Sequence, residues 1–392
     1  MQRFRIVMMM VEPPLPFGNA AARWYYVLLR GLVERGHEVV AFATSSKAHE
    51  IEQAAKLFPR ECYDLRCYMN PVRRGLRSKF DTLANPFSYM FSPELKRDLT
   101  NELERGFDVL HLEQLWAGWT GLEYSSRALV NVHHLVSIDI SESPARSPNE
   151  RMQSSMVSRA ERRLLRAYTH FRACSPRLVE PIKKMNRRAK MTVVPIGLDT
   201  SLYQYFRDDE RPAAPIVTLI GSMNWLPGIS AGRRLLGRLY PEIKRRVPDA
   251  RFRIVGWAAR SALAEYLNLP DVEIVENVPD TNPYFRDAGV FLYAPSRGSG
   301  MKIKVLEAMA LGAPVVTTSE GVEGLPARDG VHGGIADDDA GLVDRTVALL
   351  ADRERQNCHR RAARQLIESH CAPARTVPMI EEIYAGMQQG CG

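Results

Sequence analysis

Residues 296–325 read SRGSGMKIKVLEAMALGAPVVTTSEGVEGL, and their order of turn, helix and strand signals decides the fold. The apolar run Val290-Phe291-Leu292-Tyr293-Ala294 comes just before, with the composition of a buried parallel strand. Gly298 and Gly300 then flank Ser299. Lys302 to Leu311 reads as a helix with Glu307 inside it, and Gly312 and Pro314 stop it. Val315-Val316-Thr317-Thr318 opens the next strand. A glycine loop that opens a helix offers an anion backbone N–H groups and the positive end of the helix dipole. The natural ligand is a phosphate or diphosphate, to which Lys302 and Lys304 in the first turn add positive charge.

The order of these signals is specific: a glycine loop, then Lys-x-x-Glu-Ala-Met-Ala-x-Gly-x-Pro-Val-Val, then Gly-x-x-Gly-Leu. It resembles the nucleotide-sugar site of family 4 glycosyltransferases, retaining enzymes of the GT-B fold. The resemblance implies an α/β protein with two Rossmann-like, doubly wound parallel-sheet domains facing a central cleft. It implies that Glu307 binds the donor's ribose, and that Ser299, Gly300, Met301, Lys302, Ile303 and Lys304 surround its diphosphate. Ser299 stands where the family pattern often has a second glutamate near the transferred sugar, so the chain is closest to a Gly/Ser-loop subgroup. Many members carry a basic pair after the first strand of the second domain. Here Ile216 to Gly221 is followed by Ser222-Met223-Asn224-Trp225, with no basic residue before Arg233. Lys302 or Lys304 then supplies that charge, and Gly221 and Asn224 remain on the donor side. The Asn277-Val278-Pro279-Asp280 segment corresponds to the family's base-reading turn, through the backbone of Val278.

The N-terminal half starts as strand, loop, helix, strand. Arg5 to Met10 is a buried strand, Glu12 to Asn19 a loop, and Ala20 to Arg35 a helix capped by Gly36; His37 to Ala43 is the second strand. Short links between these elements specify a parallel doubly wound sheet. In the family, a glycine of this first loop faces the cleft; Gly18 is that residue here. Two further strands, Asp108 to Leu112 and Leu129 to Val132, run into Glu113-Gln114 and His133-His134. Ligands of doubly wound sheets bind at the carboxyl ends of strands. Glu113 and His134 are therefore acceptor-side candidates. The resemblance makes His133 the histidine near the transferred sugar and, with Lys304 and Glu307, a catalytic candidate.

With 392 residues the chain is long enough for two domains with cores of their own. Thr192 to Asp199 reads as a hinge, giving an N-terminal acceptor domain over 1–200 and a nucleotide-sugar domain over 201–373. A terminal helix from about Pro378 to Met387, within 374–392, follows a break at Ala372-Pro373 and returns to the first domain, as in GT-B proteins. Six scattered cysteines without a CxxC pair fit a reducing compartment. The apolar N-terminal run is short and lacks a small-residue cleavage site, which argues against a signal peptide, and no run reaches membrane-spanning length.

Charge is unevenly spread. Residues 144–190 hold thirteen Lys and Arg against three acidic residues, while the whole chain is only +8. Arg159, Arg162, Arg163 and Arg166 fall on one helix face, and Met156, Ala160, Leu164 and Ala167 on another. Such a helix either meets an anionic membrane or acceptor or packs its apolar side and leaves its arginines in water. Arg73 to Lys79 poses the same choice. Asp337-Asp338-Asp339 reads as a helix cap rather than a metal motif. There is no P-loop and no nucleophile elbow, and the basic segment lacks the interleaved aromatics of a single-strand nucleic-acid platform.

The expectation is a retaining glycosyltransferase moving a sugar from a nucleotide diphosphate-sugar to a saccharide or lipid-linked acceptor, in polysaccharide or glycolipid assembly. It needs no cofactor, metal or nucleic acid, and acts in the cytoplasm or at the inner face of the membrane. The alternatives are a non-catalytic sugar-nucleotide-binding subunit and an epimerase or phosphorylase on the same fold.

Overall fold

The computed structural model describes residues 2–17, 19–72, 84–141, 147–224, 226–295 and 298–389. Gly18, the Arg73–Lys79 run and part of the basic segment lie outside them. The chain forms two compact units: Met1–Leu198 with Pro373–Gly392, and Asp199–Ala372.

The first unit is built on seven parallel strands: β1 (Arg5–Met10), β2 (Glu38–Ser45), β3 (Asp64–Met69), β4 (Val109–Glu113), β5 (Ala128–Val132), β6 (His170–Ala173) and β7 (Lys190–Val193). Their order is β3-β2-β1-β4-β5-β6-β7, so the chain reverses direction across the sheet between β1 and β4. That switch point is where ligands of such sheets bind. Ile6 to Met10 are fully buried, as are Trp24, Tyr25 and Leu28 of helix α1 (Ala20–Glu34). Asn19 caps α1, accepting from the Ala21 and Ala22 N–H groups, and Gly36 leaves it at φ +86°.

The second unit has strands β8 (Ile216–Ile220), β9 (Arg251–Val255), β10 (Val272–Val275), β11 (Val290–Tyr293), β12 (Val315–Thr317) and β13 (Gly334–Ile335), all parallel. The order β10-β9-β8-β11-β12-β13 puts its switch point between β8 and β11.

Helix α2 (Pro148–Ala167) carries the arginine face read from sequence. Ala160 and Leu164 are buried, so its apolar side packs on the first unit. Arg159, Arg162, Arg163 and Arg166 are exposed. Arg163 is engaged nonetheless, its guanidinium 5.2 Å from the Trp119 ring centre and its Nη1 donating to Asn85.

Helix α3 (Ile303–Leu311) follows β11 and ends at Gly312, φ +77°. Its carboxyl end is held from α5 (Arg353–His370), which follows α4 (Asp339–Ala351). Arg364 donates to Ala310 O at 2.6 Å, and fully buried Arg360 donates to Gly312 O. Cations placed on terminal carbonyls suit the negative end of the dipole. Asp338 caps α4 by accepting from Gly341 N–H, the capping role read for the Asp337–Asp339 run.

Helix α6 (Pro373–Gln389) starts five residues before the Pro378 expected from sequence and contains that proline. Pro373 at the first position gives up only an N–H with no helical partner. Pro378 removes one bond near the start, which the burial of Val377, Ile380 and Tyr384 offsets. Arg35 grips Glu381 with two bonds of 2.6 and 2.8 Å, and His37 Nε2 meets the same carboxylate at 2.7 Å. No helix among the described residues is long and apolar enough to cross a membrane.

Candidate functional site

In the second unit the expected donor residues come from loops at the carboxyl ends of the strands. Gly221 follows β8 and the Gly298–Lys302 loop follows β11, so they leave neighbouring strands at the switch point. Gly221 lies against the Tyr293 ring, its Cα facing a gap of ordinary contact size. Gly256, after β9, approaches so closely that a Cβ there would stand 1.7 Å from Gly221 O. Asn224 accepts from Ser222 Oγ at 2.5 Å and is exposed. Val278 is half-buried beyond β10, next to Asn277 at φ +56°.

The glycine loop itself turns at Gly300, φ +81°, a conformation that favours glycine. Lys302 is the N-cap of α3 in extended backbone rather than a first-turn residue, and it provides no side-chain cap. The amino end of α3 therefore keeps its dipole charge for a ligand. Met301 and Ile303 are both buried. Lys302 Nζ folds back onto the Ser299 carbonyl at 3.3 Å and onto Gly300 O. Lys304 Nζ sits 2.8 Å from Glu307 Oε2, and Glu307 is 3 % exposed. Both lysines expected to face a phosphate thus have oxygen partners of the protein's own.

One participant was not foreseen. Glu323, from the loop after β12, reaches back to accept the Gly300 N–H at 3.0 Å and stands 3.8 Å from Lys302 Nζ. The sequence expectation of uncommitted loop N–H groups fails at Gly300 for this reason. Glu323 was hidden inside the quoted Gly-x-x-Gly-Leu, where it reads as an ordinary loop acid.

In the first unit Glu113, the last residue of β4, is fully buried and surrounded by donors. Trp24 Nε1 (3.0 Å) gives to one oxygen; Asn131 Nδ2 (2.6 Å) and His133 Nε2 (3.1 Å) meet the other. His111 Nε2 lies 2.9 Å from the first oxygen. Burial alone would raise this carboxyl, but His111 and His133 outweigh it and hold it ionised, well below the usual carboxylate range. Burial pushes His133 down, against the pull of Glu113, so the ring is neutral near neutral pH. With Nε2–H donating to Glu113, its Nδ1 is left as an acceptor. The Tyr384 hydroxyl, on α6, is hydrogen-bonded with His111 Nδ1.

A buried arginine completes the cluster. Arg172 on β6 gives Nη1 to Asn131 at 2.6 Å and lies over the Trp24 ring at 4.6 Å. Burial lowers its pKa. Glu113, Asn131 and Arg172 are register partners across β4, β5 and β6. The missed signal was periodicity: His111 and Glu113, Asn131 and His133, Arg172 and Cys174 alternate on one face of otherwise apolar strands. His134 is half-buried and lines a small cleft with His133, Gln114, Trp116, Val136 and Glu161. Glu161 closes this cleft by accepting the Val136 N–H at 2.7 Å. Among the described residues, no group of three or more His, Cys, Asp or Glu side chains is placed to hold a metal ion.

Comparison with known proteins accounts for both halves. Residues 21–202 match the family described as Glycosyltransferase Family 4, and residues 214–352 match Glycosyl transferases group 1. A search of curated protein sequences gave no match. Among solved structures, sucrose-phosphate synthase of Thermosynechococcus elongatus superposes with a TM-score of 0.72 at 16% identity, covering 98% of this chain and 100% of its own. HepE of Anabaena, in complex with UDP-glucose, gives 0.68 at 13% identity, with 97% and 100% covered. TarM of S. aureus, in complex with fondaparinux, alpha-GlcNAc-glycerol and UDP, gives 0.68 at 8% identity, with 97% and 99% covered. The sheet orders, the loop and helix after β11 and the two family matches agree: the chain is a glycosyltransferase of the GT-B fold, its N-terminal part similar to family 4 and its C-terminal part to group 1.

Proposed function

We propose that this glycosyltransferase moves a sugar from a nucleoside diphosphate-sugar to an acceptor hydroxyl with retention of configuration, in the assembly of a polysaccharide or glycolipid. The observation that carries the reading is the amino end of α3. It is a helix terminus without a side-chain cap behind a glycine loop, at a topological switch point, with Lys302 at its N-cap and Lys304 at its second position. HepE, of the same fold, binds UDP-glucose, which supports a diphosphate-sugar as donor. The saccharides bound to TarM support a saccharide acceptor.

In this reading the leaving diphosphate lies on the amino end of α3, against Met301, Lys302 and Ile303. Lys302 and Lys304 exchange their protein oxygens for phosphate oxygens. Fixed donors of this kind stabilise charge that develops as the glycosidic bond to phosphate breaks. Glu307 accepts from the ribose hydroxyls once Lys304 turns to phosphate. Gly221 and Asn224 border the phosphates, and the Val278 backbone reads the base. Attack comes from the face the diphosphate leaves, and a phosphate oxygen takes the acceptor's proton, so no protein nucleophile is required. His133, neutral and held by Glu113, presents Nδ1 to a hydroxyl of the transferred sugar, with His134 beside it. The lysines supply the positive charge, so turnover survives EDTA.

Exposed Arg159 and Arg162 on α2 support contact with an anionic membrane carrying a lipid-linked acceptor. Sedimentation with phosphatidylglycerol vesicles, weakened by salt, tests that part alone.

The test of the function is a donor screen. Purified protein is mixed with UDP-, GDP- and ADP-sugars, and nucleoside diphosphate release is followed with and without saccharide acceptors. Release from one donor, with the product's anomeric configuration unchanged by NMR, is the expected result. An inverted product would refute retention; no release and no binding with any donor would refute the reading.

A further inference from the structure

The loop after β12 carries a second carboxylate, besides Glu307, to the glycine loop of the donor site. Glu323 is 8 % exposed, with Oε1 fixed by the Gly300 N–H at 3.0 Å and Oε2 3.8 Å from Lys302 Nζ. Its delivery is rigid. Gly321 N–H bonds back to Thr318 O at 2.9 Å, and a Cβ on Gly321 would stand 1.7 Å from Thr317 Oγ1. The turn is therefore pressed onto the end of β12 with no room for a side chain. Gly300, at φ +81°, bends the facing loop so that its N–H meets the carboxylate.

A carboxylate is a poor neighbour for a diphosphate, since both are anions. It is also a pure acceptor, with room for about four hydrogen bonds on its two oxygens. The groups it suits on a diphosphate-sugar are hydroxyls, and vicinal hydroxyls can take both oxygens at once. With Glu307 given to the ribose, the hydroxyls left are those of the transferred sugar. Gly300 and Lys302 hold Glu323 in one orientation, which lowers the cost of ordering it on binding.

We propose that Glu323 is the donor-sugar specificity residue: its carboxylate accepts hydroxyls of the sugar being transferred and selects which sugar is used. This rests on the donor-site reading above. It adds a residue that reads the sugar while leaving the nucleotide's own contacts unchanged.

The experiment compares a nucleoside diphosphate with its diphosphate-sugar, beginning with UDP and UDP-glucose or the pair the donor screen selects. Affinities are measured by calorimetry for wild type, Glu323→Gln and Glu323→Asp, with thermal melting of each. Glu323→Gln retains an oxygen for the Gly300 N–H; the shorter Glu323→Asp carries the test on folded protein if the first variant melts out. The expected result is a nucleoside diphosphate affinity within about threefold of wild type and a diphosphate-sugar affinity lower by roughly ten- to hundredfold, the worth of hydrogen bonds to a charged group. Deoxy-sugar donors give a second readout. Removing the recognised hydroxyl should weaken wild type but leave the variant unchanged, a coupling that a loop-shaping role would not produce. Equal losses for the two ligands, or a gain for both, would overturn the proposal while leaving the donor site in place. Failure of wild type to bind any nucleoside diphosphate would overturn the donor-site reading, and this proposal with it.

Discussion

Replacing Glu113 by glutamine tests the cluster at the ends of β4 and β5. The substitution keeps the shape and removes the charge. In the native site two donors or near-donors face each oxygen: Trp24 and His111 on one side, Asn131 and His133 on the other. A glutamine has one oxygen and one NH2, so one pair of donors must face another donor. Two buried donors left without acceptors cost about 1–3 kcal/mol each. Arg172, fully buried and reached through Asn131, loses a compensating charge as well. A loss of about 3–5 kcal/mol is the usual result of breaking a buried charged pair. In a domain of roughly 150–250 residues this lowers Tm by about 6–20 °C. Urea unfolding followed by tryptophan fluorescence is the assay, since Trp24 itself donates to the carboxylate. Turnover should fall with it, because His133 loses the partner that fixes its tautomer. Adding Arg172→Met should recover part of the loss by removing the stranded cation. A cost below about 1 kcal/mol, with no recovery in the double variant, would show that the carboxylate does not hold this cluster together.

Glu307→Ala should lower kcat/KM for the donor by roughly ten- to hundredfold while Tm moves little, because Lys304 is partly exposed and can turn to water; diphosphate release and melting curves check both halves. The depressed pKa of His133 makes stability pH-dependent, and burial shifts His170, His332 and His359 the same way. The unfolded chain binds protons below the ordinary histidine value of 6.5 while the folded chain resists, so stability is full above that pH and declines below it. Tm measured from pH 7.5 to 5 should fall, and less steeply in His133→Asn. Gly256→Ala drives a Cβ against Gly221 O at the switch point, where both partners are backbone. It should destabilise by about 1–3 kcal/mol or more and weaken nucleotide binding, read by melting with and without UDP.

The sequence carried the fold in its strand–loop–helix punctuation. Gly36 and Gly312 leave α1 and α3 in the left-handed conformation, and Asp338 caps α4, because these signals act on the backbone within a few residues of themselves. Pro378 misled for the complementary reason: as a local breaker it predicts a helix start, but tertiary burial of Val377, Ile380 and Tyr384 overrides it. The polar row Glu113, Asn131 and Arg172 needs strand register, which no single strand contains, although the period-two placement of the polar residues was visible. Glu323 was the least legible. Its meeting with Gly300, 23 residues earlier, depends on two loops leaving adjacent strands at the same edge of the sheet.

The two ends of α3 are treated differently. Arg360 and Arg364 lock the carboxyl end through its carbonyls, while the amino end has no side-chain cap. Nine residues separate them by roughly 13 Å. The helix is thus a post set in its foundation at one end, with the working tip at the other. Residues around 298–304 can be exchanged for others without loosening the foundation. A change of donor is then within reach of a few substitutions at the tip, whereas a change at Arg360 or Arg364 would tilt the post and disturb every donor alike.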